Sequence, residues 1–430
     1  MSKKALVIGL DGVPHNLLVD CIERGITPHL GRLVQEGSLS SMEVTQPPIS
    51  SVSWTSFMTG MDPSHHGIYG FTDVNRTYGL TLPSFRDVKT KTIFDRLGEI
   101  GLSSVVLNLP ATYPARSIPG VLVSGFVAPD LQKGVAPASL YPKLKKMHYT
   151  ADIDLPRVLA DKRLLFPELE RTLLVRQEAV DMLWEESDWS LFMVVVTGTD
   201  RLHHYAFDAY TDASHPDHDR FYGYYARVDA FVGTLMKRFE SDFQDHDRFH
   251  LVLSDHGFGP LETEVYLNTV LHRAGLLEYA KPDPRMISDI DPARTQAFAM
   301  DPSRIYLNRK SRFAGGTVQE DDAEGLLDDL ESLFMGLRFR DTPVIAACLR
   351  REELYTGPLA QEGPDMVLIP HPGRDLKGMM GAPDIFGKKA FTGMHTHNDA
   401  FAITSHNAAP DHILGASRAV MNFFGIDSNS

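Results

Sequence analysis

ALVIGLDG, residues 5–12, is an unbroken apolar run closed by an acid and a glycine. A run without polar alternation reads as a strand buried on both faces, as in a parallel sheet. In open α/β sheets ligands gather at the carboxyl ends of such strands, which places Asp11 at a functional edge. Alone, Asp11 also reads as a turn or helix-capping residue. The same unit recurs along the chain. Residues 103–109 end in Pro110, residues 121–126 form a further apolar run, residues 191–196 lead into TGTDRLHHYAF, and residues 250–253 lead into SDHGFG. Short strands are expected again at 366–369 and 400–404. Helical spacing fills the gaps at 17–36 (interrupted by Pro28), 92–100 (stopped by Gly101), 166–186 and 216–239. Strand, polar tip, helix, repeated, predicts an α/β fold: a doubly wound, mostly parallel sheet flanked by helices. Residues 129–163, irregular and rich in Pro and Lys, read as a surface excursion, and 265–275 as a helix. Between 276 and 359 the rhythm weakens, so an inserted cap is expected there, with the core formed by 1–275 and 360–430.

The second informative stretch is PPISSVSWTSFMTGMDPSHHG, residues 47–67. Hydroxyls at Ser50, Ser51, Ser53 and Thr55 stand at the start of an apolar, helix-like segment. The free amides and dipole of a helix N-terminus suit an anion there. A serine in that position is a nucleophile only if something activates it, and no G-x-S-x-G elbow surrounds it.

Composition narrows the classes. The chain has 430 residues, with 42 Lys plus Arg against 56 Asp plus Glu, a net charge of −14 with His neutral. That balance argues against coating double-stranded nucleic acid, while a small nucleotide stays open because bound metals supply local positive charge. The two cysteines, Cys21 and Cys348, form no C-x-x-C pattern, so neither a disulfide framework nor a thiolate metal site is indicated. The first apolar run stops at Asp11 and is read as a strand, not a signal peptide. No run is long enough to span a bilayer, so no membrane association is expected and the expected location is cytoplasmic.

The chemistry-bearing residues cluster at strand ends: Asp11, Asp200, and Asp255 with His256, joined by a later His-bearing stretch. Asp200 and His204 are spaced i, i+4, so one helical turn puts them on one face. Each piece has a plain alternative. Asp200 reads as a helix cap, Asp255-His256-Gly257 as a turn, and His203, His215 and His218 as solvent or turn residues. Four acidic or His clusters behind separate buried strands, with a hydroxyl-rich helix start, are hard to explain by turns alone. Carboxylate and imidazole ligation without Cys suits zinc, manganese or iron, and the His content favours zinc. The expectation is a two-metal hydrolase of phosphate esters.

Taken together, GLDG around Asp11, PPISSVSWTSFMTG with PSHHGI, TGTDRLHH, SDHGFG and GMH at 393–395 resemble the alkaline phosphatase superfamily, and within it the type I phosphodiesterase/nucleotide pyrophosphatase family. The segments occur in the family's order from the first strand almost to the C-terminus. The resemblance implies an alkaline phosphatase-like core and two divalent metal ions, Zn2+ first and Mn2+ second. One would be held by Asp200, His204 and His395, the other by Asp11, Asp255 and His256. Ser50 would be the nucleophile and would bridge toward the metals, because the family's nucleophile lies ten residues before the glycine that here is Gly60. The family often has Thr there. Ser51 is the rival to Ser50, and His397 the rival to His395. The family's phosphate-binding Asn has no clear counterpart, with Asn75 and Asn108 as candidates.

The implied function is a metal-dependent phosphodiesterase acting on nucleotide-type or other small phosphodiesters through a phosphoseryl intermediate. The alternatives are a phosphomonoesterase of the same superfamily and a non-catalytic metal-binding regulatory protein. Ser50 is followed by Ser51-Val52-Ser53 rather than x-P-x-R, which argues against a sulfatase. The insertion after SDHGFG argues against a phosphoglycerate mutase, whose lid follows the nucleophile region. In the cap, Arg304, Tyr306, Arg309 and Arg312 are candidates for phosphate or base contact, with solvated surface as the plain alternative. Oligomeric state is left open.

Overall fold

Along the strand Lys3–Leu10 (β1), Leu6, Ile8 and Leu10 enter one apolar core, while Ala5 and Val7 enter another. Successive side chains of an extended chain point to opposite faces, so β1 is buried on both sides and its sequence need not alternate. This is a computed structural model that describes residues 2–405 and 408–427. The chain forms two units, one of Met1–Met61, Ser84–Gly259 and His395–Ser430, the other of Asp62–Pro83 and Pro260–Met394.

The first unit is built on an eight-stranded sheet. Its strands after β1 are β2 (Ser38–Met42), β3 (Ser104–Leu109), β4 (Gly120–Ser124), β5 (Val135–Ala136), β6 (Leu191–Val196), β7 (Asp247–Leu253) and β8 (Ala400–Thr404). Their order is β2-β8-β7-β1-β6-β3-β4-β5. The centre, β7-β1-β6-β3-β4, is parallel. The edges β2, β8 and β5 pair antiparallel. This is the expected doubly wound, mostly parallel sheet. In β6 the same division recurs, with Phe192, Val194 and Val196 on one face and Leu191, Met193 and Val195 on the other.

Helices cover both faces. α1 (His15–Glu23), α2 (Pro28–Glu36), α5 (Leu165–Glu186), α6 (Gly198–Thr211) and α7 (His218–Asp242) pack on the Leu6 side. α3 (Ser50–Thr59), α4 (Ile93–Glu99) and α8 (Ile413–Phe424) pack on the Ala5 side. Pro28 opens α2, where its missing N–H costs nothing. Thr92 caps α4 through a reciprocal bond with Asp95. Residues 129–163 are not a surface excursion. They hold two short helices, and Leu144, Tyr149, Ile153 and Val158 enter the Leu6-side core.

The second unit takes in residues 276–359 as part of the longer span Pro260–Met394. Its four-stranded sheet runs Ala297–Met300, Arg304–Leu307, Met366–Pro370, Ile345–Arg350, with all pairings antiparallel. Residues 265–275 are not one helix. Thr263–Tyr266 is a strand paired with Arg374–Lys377, and the helix begins at Leu267. Arg304 and Tyr306 are fully buried, with Arg304 donating to the Asp301 and Thr72 carbonyls. Arg309 pairs with Asp365, and Arg312 donates to the carbonyls of Glu362 and Gly363. Contacts inside the unit thus engage the four candidate cap residues.

Among the described residues no helix is long and apolar enough to cross a membrane.

Candidate metal centre and nucleophile

Three adjacent parallel strands, β7, β1 and β6, deliver their following residues to one place. Asp11 follows β1 directly, Asp255 and His256 follow β7 within three residues, and Asp200 follows β6 in the first turn of α6. Asp11, Asp200, Asp255 and His256 are all buried. The helix containing Asp200 carries His204 one turn on, with Nε2 3.5 Å from Asp200 Oδ1. Its cap position is Thr197, not Asp200. His395, just before β8, brings its Nε2 to 3.3 Å from Asp200 Oδ1 and 3.1 Å from His204 Nε2.

Ser50 is the first residue of α3, and all ten residues of that helix are buried. Its hydroxyl lies 3.2 Å from Asp11 Oδ1 and 3.2 Å from His256 Nε2. Ser51 Oγ is buried with no hydrogen-bond partner among the described residues. No side chain caps the helix at Ile49, which leaves the first-turn amides open to an anion. Among the described residues His397 joins none of the metal-type groups, and its backbone carbonyl accepts from Val44. Asn75 accepts from Thr77 and Gly79 in an exposed turn, and Asn108 is spent on the Val195 carbonyl and the Tyr149 hydroxyl.

Two glycines make the approach tight. A Cβ on Gly9 would meet the Trp54 ring at 2.5 Å, so Gly9 lets the indole lie against β1, where Nε1 donates to Asp11 Oδ2 at 3.2 Å. Gly12 has φ +67°, a backbone state that side chains disfavour. That turn aims its N–H at Asp255 Oδ1, 3.0 Å away.

The donor set matches divalent cations. Three carboxylates, three imidazoles and a hydroxyl converge. Ligand atoms of Asp200, His204 and His395 lie within 4.8 Å of one another, as do those of Asp11, Asp200 and His256. Asp255 Oδ2 stands 3.4 Å from His256 Nε2. Two buried carboxylate oxygens, Asp200 Oδ1 and Asp255 Oδ2, have no hydrogen-bond donor among the described residues. His395 Nδ1 faces the Pro48 carbonyl at 3.0 Å and His256 Nδ1 faces the Gly257 carbonyl at 3.1 Å. Donation from each Nδ1–H turns the Nε2 lone pair into the cluster, the arrangement a metal-binding imidazole needs.

The electrostatics carry the same signature. Burial, then the like charges of Asp255 and Asp200, push the Asp11 carboxyl far above the usual range. Burial likewise lifts Asp255 to about 7, against the pull of the Gly12 N–H and with the push of Asp200. Burial and then His395 hold His256 far below an ordinary imidazole. Asp200 is held low: burial would raise it, but His204, His395 and Arg201 outweigh that. Crowded carboxylates beside neutral imidazoles are what a cation would relieve.

Several supporting residues have no motif of their own. His203 is neither a solvent residue nor a ligand. It is fully buried, bonded to the Gly12 carbonyl and the Tyr225 hydroxyl at 2.8 Å each. Thr199 Oγ1 donates to the Asp11 carbonyl at 2.6 Å. Arg201 donates to Asp200 and Asp152. A signal existed for His203, since α6 is amphipathic and its position follows buried Leu202. The Arg201–Asp152 pair joins residues 49 apart and leaves no local pattern.

The profile of one family, described as type I phosphodiesterase/nucleotide pyrophosphatase, matches residues 5–397. Among solved structures, phosphonoacetate hydrolase from Sinorhizobium meliloti 1021, in complex with phosphonoformate, superposes with a TM-score of 0.63 at 14% identity, covering 98% of this chain and 95% of its own. Murine ectonucleotide pyrophosphatase/phosphodiesterase 5, as an inactive variant with AMP, gives a TM-score of 0.59 at 12% identity, covering 99% of this chain and 96% of its own. At these identities the likeness is one of fold. No curated protein matches the chain at a significant level.

Proposed function

The chain belongs to the type I phosphodiesterase/nucleotide pyrophosphatase family and is a phosphoester hydrolase, and from that premise we propose that it hydrolyses small phosphodiesters of nucleotide type with Ser50 as nucleophile. The observation that carries this reading is the Ser50 hydroxyl, 3.2 Å from both Asp11 Oδ1 and His256 Nε2 at the open start of α3. Asp200, His204 and His395 would hold one divalent cation, and Asp11, Asp255 and His256 the other, Zn2+ first and Mn2+ second. Such ions, when bound, lower the proton affinity of a neighbouring hydroxyl and offset charge on phosphoryl oxygens.

The rest is supplied by the chain itself. Asp11 and His256 orient Ser50 Oγ, so that the oxygen attacks phosphorus, the bond from phosphorus to one ester oxygen breaks and that alcohol leaves with the serine proton, and a phosphoseryl intermediate that keeps the second ester group forms for water to release. The first-turn amides of α3 face a nonbridging oxygen of the bound phosphate. Trp54, through Asp11 Oδ2, and Gly12, through Asp255 Oδ1, fix those carboxylates against rotation.

The test compares bis-p-nitrophenyl phosphate with p-nitrophenyl phosphate on protein stripped of metal and reloaded with zinc or manganese. Metal-restored activity preferring the diester is expected. Preference for the monoester overturns the diester reading, and bound metal without turnover of either would favour a binding role.

A further inference from the structure

Asp200 does not present both carboxylate oxygens to the cluster. Oδ1 faces His395, His204 and His256, at 3.3, 3.5 and 3.9 Å. Oδ2 is turned away and accepts from Arg201 Nη1 at 3.0 Å. The Arg201 guanidinium is itself clamped. Its Nε donates to Asp152 Oδ2 at 2.8 Å, Nη2 lies 2.6 Å from the same oxygen, and its Cζ lies 4.3 Å from the Phe126 ring centre. Both side chains are largely buried, Arg201 at 11% and Asp152 at 14% exposure. The far end is anchored as well. Asp152 Oδ1 accepts the Ile153 N–H at 2.8 Å, and the neighbouring Ala151 carbonyl accepts from the buried Arg176 at 3.0 Å.

We propose that Arg201, held by Asp152 and Phe126, is a positioning residue that reserves Asp200 Oδ2 and leaves Oδ1 as the single atom offered to metal. The proposal rests on the reading of Asp200 as a metal ligand. A guanidinium suits the task because its planar fork reaches two carboxylates at once in fixed directions. An ammonium on a flexible stem satisfies one of them. Without the clamp, Asp200 would be free to turn both oxygens inward, and Oδ1 would no longer be the one atom it presents beside His204 and His395. Partners of this outer kind typically matter tenfold to a hundredfold in metal affinity.

The experiment uses the full chain stripped of metal and titrated with Co2+ against a competing chelator, with the visible absorption of the cobalt followed throughout. The variants are R201K, which keeps the charge, D152N, which keeps the shape, and Asp200→Asn as the reference. R201K and D152N are expected to lose about tenfold to a hundredfold in cobalt affinity and to show weakened, shifted cobalt bands, the sign of a higher coordination number. The metal-free thermal midpoint checks that each variant is folded. Wild-type affinity and spectrum in either folded variant overturns the proposal. So does lost affinity with an unchanged spectrum, which reports loosened packing and not a changed Asp200. If Asp200→Asn itself binds cobalt like wild type, the ligand assignment falls, a separate failure from that of the Arg201 clamp.

Discussion

The Ser50 hydroxyl stands 3.2 Å from the carboxylate of Asp11, a residue 39 positions earlier at the end of the first strand. Ser51, one residue on, is buried with its hydroxyl unpartnered among the described residues. Register is therefore the sharpest consequence. Ser50→Ala is expected to lower turnover by at least about a thousandfold, the scale of an essential nucleophile, with metal content near normal because the six Asp and His side chains remain. Ser51→Ala is expected to retain most activity. Steady-state rates and metal analysis of the two variants check this, and the reverse pattern would shift the nucleophile by one residue.

Metal affinity should depend on pH in a defined direction. The carboxyl of Asp11 is raised by burial and by Asp255 and Asp200, and burial with Asp200 lifts Asp255 to about 7. Carboxyls raised in this way hold protons in the metal-free fold that a cation must displace. His256, held low, has none to lose. Zinc binding is therefore expected to release protons and to weaken by about tenfold per pH unit per proton displaced as pH falls below about 7. The same shifts mean that the metal-free fold binds more protons than the unfolded chain between the ordinary carboxylate range and 7. Its stability contribution from these groups is thus lost as pH rises through that window. Calorimetry in two buffers of different ionisation enthalpy counts the protons released.

Gly12→Ala should damage both fold and site. The residue has φ +67°, and a Cβ would meet Phe258 at 2.9 Å and His256 Cε1 at 3.1 Å. Forcing a side chain into that backbone state costs about 1–2 kcal/mol, and the N–H that holds Asp255 would move. A lower denaturation midpoint together with weaker zinc binding is expected. A loss of stability with zinc affinity unchanged would show that the turn does not position Asp255.

At the cap of α4, Asp95 provides a contrast of opposite sign. Burial would raise its carboxyl, but Arg116, at 2.7 and 2.6 Å, and the Thr92 cap hold it below the usual value. A depressed carboxyl stabilises above the unfolded value and loses that contribution as pH falls through its folded value. Asp95→Asn is expected to cost about 1 kcal/mol near neutrality and less in acid, with enzymatic activity retained. Denaturation midpoints at pH 7 and pH 3 measure the difference.

The parallel centre was legible because its strands are buried on both faces, and such strands carry unbroken apolar runs that stop at a polar tip. The tips themselves, Asp11, Asp200 and Asp255-His256, were visible for the same reason. The edge strand Ser38–Met42 was not, since SLSSM is polar and half exposed and its partner, Ala400–Thr404, lies far along the chain. Residues 62–83 gave no hint of folding with the second unit, a grouping set by long-range packing. Tyr149 and Ile153 read as loop residues because they lie between Lys146 and Pro156 in a stretch with no regular apolar spacing. The outer support of the site was likewise hidden. Arg201 and Trp54 read locally as helix residues, and only the fold sets one against Asp152 and the other against Asp11.

The most direct test of the account traps the enzyme during turnover. Protein reloaded with zinc is mixed with bis-p-nitrophenyl phosphate, quenched in acid within one turnover, digested and weighed by peptide mass spectrometry. A p-nitrophenylphosphoryl adduct on the peptide containing Ser50, at Ser50 itself, dependent on metal and absent from Ser50→Ala, is the result expected. Undiminished hydrolysis by Ser50→Ala, or an adduct on Ser51, would contradict Ser50 as the nucleophile.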